Sequence, residues 1–278
     1  MKVNLFGRII EFHGITKDPK TNNFMMVMHY AKDGSLRQKL NKKFNSMGWK
    51  EKFSILWDTA SGLKNIHKGG LIHQDFHCGN ILCNGVYFYV TDLGLCKPAN
   101  EKSEKCNKNI YGVLPYVAPE VLKGKEYTQA SDIYAFGIII YEVCNGSPPY
   151  HDVAHDEFLA VKICQGLRPK FNIKVPKLVE DIFKQCVDAD PLKRPTAEYL
   201  HDKFNQWYGD IGVDSEVNKQ VEEADEFNKK RPTFTNSSND TELTYTTHAQ
   251  AIYTSRLLNF KNLPEPKNAD DGEDYSGN

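Results

Sequence analysis

His73-Gln74-Asp75-Phe76-His77-Cys78-Gly79-Asn80 is the stretch on which the reading of this chain turns. Taken alone it is a turn, and Asp75 can be read as nothing more than the residue that caps it. Its neighbours give it a setting. Asn80 to Cys83 and Tyr87 to Thr91 read as short strands joined through Asn84-Gly85, a hairpin dipeptide, and Asp92-Leu93-Gly94 follows at once. Upstream, Phe53, Leu56, Trp57, Ala60, Leu63 and Ile66 recur at helical spacing from Glu51 to Lys68, with a stop at Gly69-Gly70. Phe24 to Met28 reads as a buried strand, and Lys32-Asp33-Gly34-Ser35 as a turn that starts a helix. Downstream, helices are expected over Ser131 to Cys144, Asp156 to Gln165, Lys177 to Cys186 and Thr196 to Trp207. Few strands early and many helices later predict an α+β fold with a largely helical body.

The 278 residues are enough for one large domain with a real core. Hydrophobic residues make up 40% and charged residues 26%, the balance of a globular protein, and the net charge of −1 gives no global pull toward nucleic acid. The most apolar run, Phe136 to Val143, is far too short to span a membrane. The 7 cysteines are scattered, without metal-ligand spacing, and read as free thiols of a reducing compartment. A cytoplasmic protein is the default expectation, with the nucleus left open. Composition shifts near Tyr208. Val213 to Lys230 carries Val217, Val221 and Phe227 near helical spacing and reads as a helical extension. Residues 231–278 read as a largely disordered polar tail, with Ala251 to Phe260 an apolar exception suited to folding on a partner.

The ordered set of motifs resembles the protein kinase family. His73-Gln74-Asp75 with Asn80 is similar to the kinase catalytic loop, and Asp92-Leu93-Gly94 to its metal-binding aspartate motif, with leucine in the middle. Ala118-Pro119-Glu120 is similar to the end of the activation segment. Ser131-Asp132-Ile133-Tyr134-Ala135-Phe136-Gly137 is similar to the helix whose aspartate holds the catalytic loop, and Asp190-Pro191 with Arg194-Pro195 to the late arginine motif. Each piece has a bland reading, Asp92 opening a turn or Asp132 capping a helix. Five pieces in the family's order do not arise by chance.

The resemblance implies roles. Asp75 would accept or orient the proton of a protein hydroxyl, and Asn80 and Asp92 would hold Mg2+ against the phosphates of ATP. His73, Asp132, Glu120 and Arg194 would support the loop, Glu120 and Arg194 as a buried ion pair. Phe24 to Tyr30 resembles the strand and hinge between the two lobes. Met28, His29, Ala31, Leu82 and Thr91 would then border adenine, or else belong to a core strand that binds nothing. The implied fold is kinase-like, mostly the helical C-lobe with a remnant of the N-lobe sheet, over residues 1–209.

The chain also departs from the family. A Gly-rich loop, a strand lysine and a helix glutamate should stand before Ile9 to Gly14, and none is found there. The expectation is a chain truncated ahead of its ATP clamp, with strands whose edges stay open. Gln74 replaces an arginine that gathers a phosphate on the activation segment. Lys97 is the remaining candidate contact, and Ser103 and Tyr111 the candidate acceptors. His77 and Val113 replace a lysine and a threonine that bond each other in serine/threonine kinases. His77 is a candidate contact for the transferring phosphate, or a satisfied surface histidine. Ser35 and Gly79 stand where acids select basic substrates, so no such preference is expected. The tone is nearest the tyrosine-kinase-like group of serine/threonine kinases. Three functions remain open: an ATP- and Mg2+-dependent protein kinase, a pseudokinase module that binds a protein partner through the helical lobe or tail, and a non-functional fragment.

Overall fold

The computed structural model describes residues 7–100, 110–230 and 245–269. In chain order the elements are strands β1 (Phe12–Lys17) and β2 (Phe24–Met28), helices α1 (Leu36–Lys43) and α2 (Trp49–Lys68), and strands β3 (Leu71–Ile72), β4 (Ile81–Asn84), β5 (Tyr87–Val90), β6 (Lys97–Pro98) and β7 (Ile110–Gly112). Helices α3 (Pro119–Leu122), α4 (Gln129–Asn145), α5 (Glu157–Cys164), α6 (Lys177–Cys186), α7 (Ala197–Asp210) and α8 (Glu216–Lys229) follow, and strand β8 (Arg256–Leu258) comes last.

The centre of the molecule is α4. Ile133 to Val143 are buried all the way round, as expected of a helix enclosed by others. Its start is fixed by a capping box in which Thr128 and Ser131 bond each other's backbone amides, and its end by Gly146 at φ +85°. Gly137 faces α6 so closely that a Cβ would lie 2.7 Å from the Cys186 Cβ. On the other side, α2 buries Phe53, Leu56, Ala60 and Leu63 against α7. The rings of Phe53, Phe136, Phe204 and Trp207 join these helices at centroid separations of 5.2–6.4 Å. Each such fully buried side chain contributes about 1.5–3 kcal/mol of transfer free energy. Helix α8 docks Val217, Val221 and Ala224 on this body, and its Asp225 accepts from Trp49 Nε1 at 3.0 Å.

The strands pair antiparallel in twos: β1 with β2, β3 with β6, β4 with β5 and β7 with β8. The α+β architecture read from the sequence is the one found, with small sheets that do not close. One expectation is overturned. Phe24 to Met28 does form a strand, but every residue of it is exposed, Phe24 by 78%. Among the described residues β1 and β2 form a two-stranded sheet without a further strand, and the apolar side chains of β2 stay exposed. The six described cysteines are free thiols, as expected. Among the described residues no helix is long and apolar enough to cross a membrane.

A second expectation changes for residues 245–269. In place of a solvated tail, this segment runs across the helical body and is held along its length. Tyr245 Oη donates to Asn41 Oδ1 at 3.0 Å, and β8 pairs with β7. Leu258 and Leu263 are 2% and 3% exposed, and the Lys267 amide donates to the Cys164 carbonyl at 2.9 Å. The partner expected for Ala251 to Phe260 is the chain's own surface. Leu258 belongs to the apolar stretch that the sequence singled out, and Leu263 lies beyond it.

Candidate active site

The loop at residues 73–80 is held from beneath. Asp132, in the first turn of α4, accepts from the His73 amide at 2.8 Å and the Gln74 amide at 3.0 Å, and takes a third hydrogen bond from His67 Nε2 at 2.9 Å. These bonds pin a strained backbone, with Gln74 at φ +71° in a region that non-glycine residues rarely adopt. His73 is fully buried. Its Nδ1 accepts from the Asp75 amide at 3.3 Å, which leaves Nε2–H to donate to the Thr91 carbonyl at 3.0 Å. Burial pushes its pKa down, against the pull of Asp132, so the neutral ring is favoured. Phe76 stacks on Phe136 of α4 with ring centroids 6.4 Å apart, anchoring the loop in the core.

Asp75 is thereby turned into a small buried site. Asn80 Nδ2 donates to the Asp75 carbonyl at 2.9 Å and to its Oδ2 at 3.3 Å. Oδ1 is buried without a hydrogen bond of good geometry, and His77 Nε2 faces it at 3.5 Å. Burial alone would raise the Asp75 pKa. The side chains of His77, His73 and Ser255 outweigh it and hold the carboxyl below its ordinary value. His77 is not a surface residue: it is 5% exposed, with Nδ1 accepting from the Gly79 amide at 3.0 Å. Val113 is buried in the core, where it serves packing.

The β4–β5 hairpin sets the spacing of the other two candidates. Ile81 pairs with Val90 and the Thr91 amide donates to the Asn80 carbonyl at 3.0 Å, so Asp92 leaves the ladder beside Asn80. Asp92 is exposed and adopts φ +58°, ψ +63°. An aspartate held in this left-handed conformation carries strain of about 1–3 kcal/mol, which the ladder on one side and a short 3-10 turn on the other maintain. With both Asn80 amide bonds made by Nδ2, the side-chain oxygens of Asn80 and Asp92 remain as candidate oxygen donors. That chemistry fits Mg2+, which takes few protein ligands and keeps waters or phosphate oxygens for the rest. No group of three or more acidic, histidine or cysteine ligands is assembled among the described residues.

Glu120 and Arg194 meet as expected. Both guanidinium ends bond the carboxylate at 2.7 Å, and Arg194 also donates to the Ala130 carbonyl at 2.9 Å and the Asp188 carbonyl at 2.9 Å. Of the residues expected to border adenine, Ala31 and Thr91 are buried, Leu82 is half-buried, and Met28 and His29 are exposed. The segment from Ala31 to Ser35 is laced to β4 through the Asp33 amide on the Cys83 carbonyl at 3.1 Å and the Cys83 amide on the Gly34 carbonyl at 2.8 Å. The His29 amide is already committed to the Glu11 carbonyl at 2.8 Å. A cleft of about 1000 Å3 lies away from this region, between Tyr150, Arg168 and Phe171. Tyr111 is exposed on β7, and Ser103 lies outside the described residues.

One cluster escaped the sequence reading. Arg37 of α1 bonds both oxygens of Glu142 on α4, at 2.9 and 3.0 Å, and donates to Tyr116 Oη at 2.6 Å. Tyr116 Oη donates in turn to Glu142. Burial would lower the Arg37 pKa, but Glu142 more than offsets this and keeps the guanidinium charged. The same guanidinium lies 4.5 Å from the centroid of the Tyr253 ring. A glutamate in the middle of an apolar helix was the available signal, since a buried carboxylate requires a cation.

With this geometry in place, comparison with known proteins is informative. The family described as protein tyrosine and serine/threonine kinase has a model that matches residues 1–204. A probable serine/threonine-protein kinase of Dictyostelium discoideum is 28% identical over 73% of the chain and 12% of its own length. A protein kinase and PP2C-like domain-containing protein of Arabidopsis thaliana is 30% identical over 64% of the chain and 32% of its own. A second probable serine/threonine-protein kinase of Dictyostelium discoideum is 31% identical over 71% and 25%. The chain thus spans less than a third of the length of these relatives.

Proposed function

Since the chain belongs to the protein tyrosine and serine/threonine kinase family, we propose that it transfers the γ-phosphate of ATP to a serine or threonine hydroxyl of a protein. The observation that carries this reading is Asp75: a buried carboxylate with one oxygen free of hydrogen bonds, fixed by Asn80 and by a loop pinned to Asp132. Asp75 Oδ1 orients the acceptor hydroxyl and takes its proton. Asn80 and Asp92 are the residues that would hold Mg2+, which when bound neutralises charge on the transferring phosphate. His77, facing Asp75 Oδ1, holds the carboxylate in place and adds a donor where a lysine would stand. Ala31, Leu82 and Thr91 are the nearest candidates for the adenine face, with Met28 and His29 at its rim.

A second reading is favoured by Gln74, His77 and Val113. With the family's phosphate-gathering and lysine–threonine contacts replaced, the lobe would act as a module that binds a protein partner. Incubation of the purified chain with Mg2+, γ-labelled ATP and a serine/threonine peptide library separates the two. Transfer that falls by about 10²–10⁴-fold in Asp75→Asn is the expected result. No transfer, or transfer indifferent to Asp75→Asn, overturns the catalytic reading.

A further inference from the structure

The segment 245–269 lies where a protein substrate must reach Asp75. Strand β8 pairs antiparallel with β7 in the register Leu258 to Ile110, Leu257 to Tyr111 and Arg256 to Gly112. Gly112 has φ +155° and no side chain, and a Cβ built on it would lie 3.9 Å from Asp75 Oδ1. The residue that precedes Arg256 on the strand is Ser255, and its side chain is among those that act on the Asp75 carboxylate.

The segment is clamped on both sides of Ser255. Toward the N-terminus, the Tyr253 ring lies on the Arg37 guanidinium and its hydroxyl donates to the Pro149 carbonyl at 2.6 Å. The Ile252 amide donates to His155 Nδ1 at 3.1 Å, while His155 Nε2 bonds the Tyr150 carbonyl at 3.2 Å. Toward the C-terminus, Arg256 Nη2 donates to the His155 carbonyl at 2.5 Å, Leu258 is buried, and Lys123 Nζ donates to the Leu263 carbonyl at 2.5 Å. Clamped on both sides and next to the Arg256–Gly112 pair, the exposed Ser255 has its hydroxyl within reach of the Asp75 carboxylate, the placement of a reactant.

We propose that Ser255 is a phosphorylation site served by the chain's own Asp75, with residues 245–269 bound as an intramolecular substrate. This rests on the catalytic reading above. In the step, Ser255 Oγ bonds to the γ-phosphorus of ATP as the bond from that phosphorus to the β,γ-bridging oxygen breaks. The serine proton passes to Asp75, and ADP leaves with the electron pair. The phosphoserine formed carries about −1.5 to −2 charges beside the Asp75 carboxylate, which drives the segment out of the groove.

The full chain is incubated with Mg2+ and γ-labelled ATP, with an exogenous serine/threonine peptide library present, and the phosphorylated residues are mapped by mass spectrometry. The expected result is phosphate on Ser255, at a first-order rate that does not change with protein concentration, and a loss of at least about 100-fold in Asp75→Asn. Leu258→Asp, which unseats β8, should abolish Ser255 labelling while the exogenous peptides are still phosphorylated. Labelled peptides with an unlabelled Ser255 overturn this inference and leave the catalytic reading standing. A Ser255 rate that rises with protein concentration, or phosphate on Thr254 in its place, also overturns it. No phosphate on either acceptor refutes the catalytic reading and this inference with it.

Discussion

Arg194 shows how much of this site depends on single side chains. Its guanidinium and the Glu120 carboxylate are both buried and bond at both ends, so removing either partner leaves an uncompensated charge in the core. Arg194→Ala and Glu120→Ala should each lose about 3–5 kcal/mol, read as a fall in the midpoint of urea unfolding without a change in slope. Asp132→Ala works differently, stripping acceptors from two amides of the 73–80 loop. Buried amides left unpaired cost about 1–3 kcal/mol each, and the loss should appear as fast hydrogen exchange at His73 and Gln74. At this scale the sequence was generous. Asp75, Asn80, Asp92, Asp132, Glu120 and Arg194 could be named because five short motifs in order resemble those of the kinase family; the structure brings Asp132 to the 73–80 loop and Glu120 to Arg194. The Arg37–Glu142–Tyr116 cluster could not, because its members come from separate elements and only the packing of α1 on α4 brings them together. The side of Asp75 on which His77 would lie was equally hidden, since spacing along a loop does not reveal which way a ring turns.

Between elements, contact distances decide what is tolerated. Helices α4 and α6 approach so closely at Gly137 that a methyl group there meets Cys186 and Val187 side chains at 2.7 Å. Gly137→Ala should therefore destabilise by about 1–3 kcal/mol through overpacking, despite alanine's better helix propensity, and thermal unfolding would register the loss. The helices were legible because their apolar spacing is long and, at Gly69-Gly70, the stop explicit. Strand β2 was legible as a strand and misread as buried. Phe24-Met25-Met26-Val27-Met28 is apolar throughout, and such a run signals burial only when a second layer exists to cover it.

Across the whole molecule, the segment 245–269 couples the surface of the helical body to pH. Burial pushes the His155 pKa below its ordinary 6.5, with Arg256 and Arg37 adding to the effect against backbone bonds from Ile252 and Tyr150. A histidine depressed in the docked state binds its proton more readily once released, so docking is strongest above pH 6.5 and weakens as pH falls toward the docked pKa. His73 shifts in the same direction for the same reason. Protection against hydrogen exchange at the Ile252 amide and along β7 and β8, corrected for the intrinsic pH dependence of exchange, should fall as pH drops below 6.5, before the amides of α2 and α4 respond. Composition singled out Ala251 to Phe260 as apolar but gave no sign of what it would fold against. Polar residues dominate the segment, and its hold on the body is made of backbone pairing, two buried leucines and a tyrosine stacked on an arginine.

The covalent link between that segment and the groove it fills has a consequence for competition. A tethered occupant rebinds as if present at millimolar concentration, whatever the protein's abundance. A free protein segment at micromolar concentration and equal intrinsic affinity therefore meets a handicap of about a thousandfold. Dilution does not relieve that handicap; only a change that weakens the tethered copy itself does.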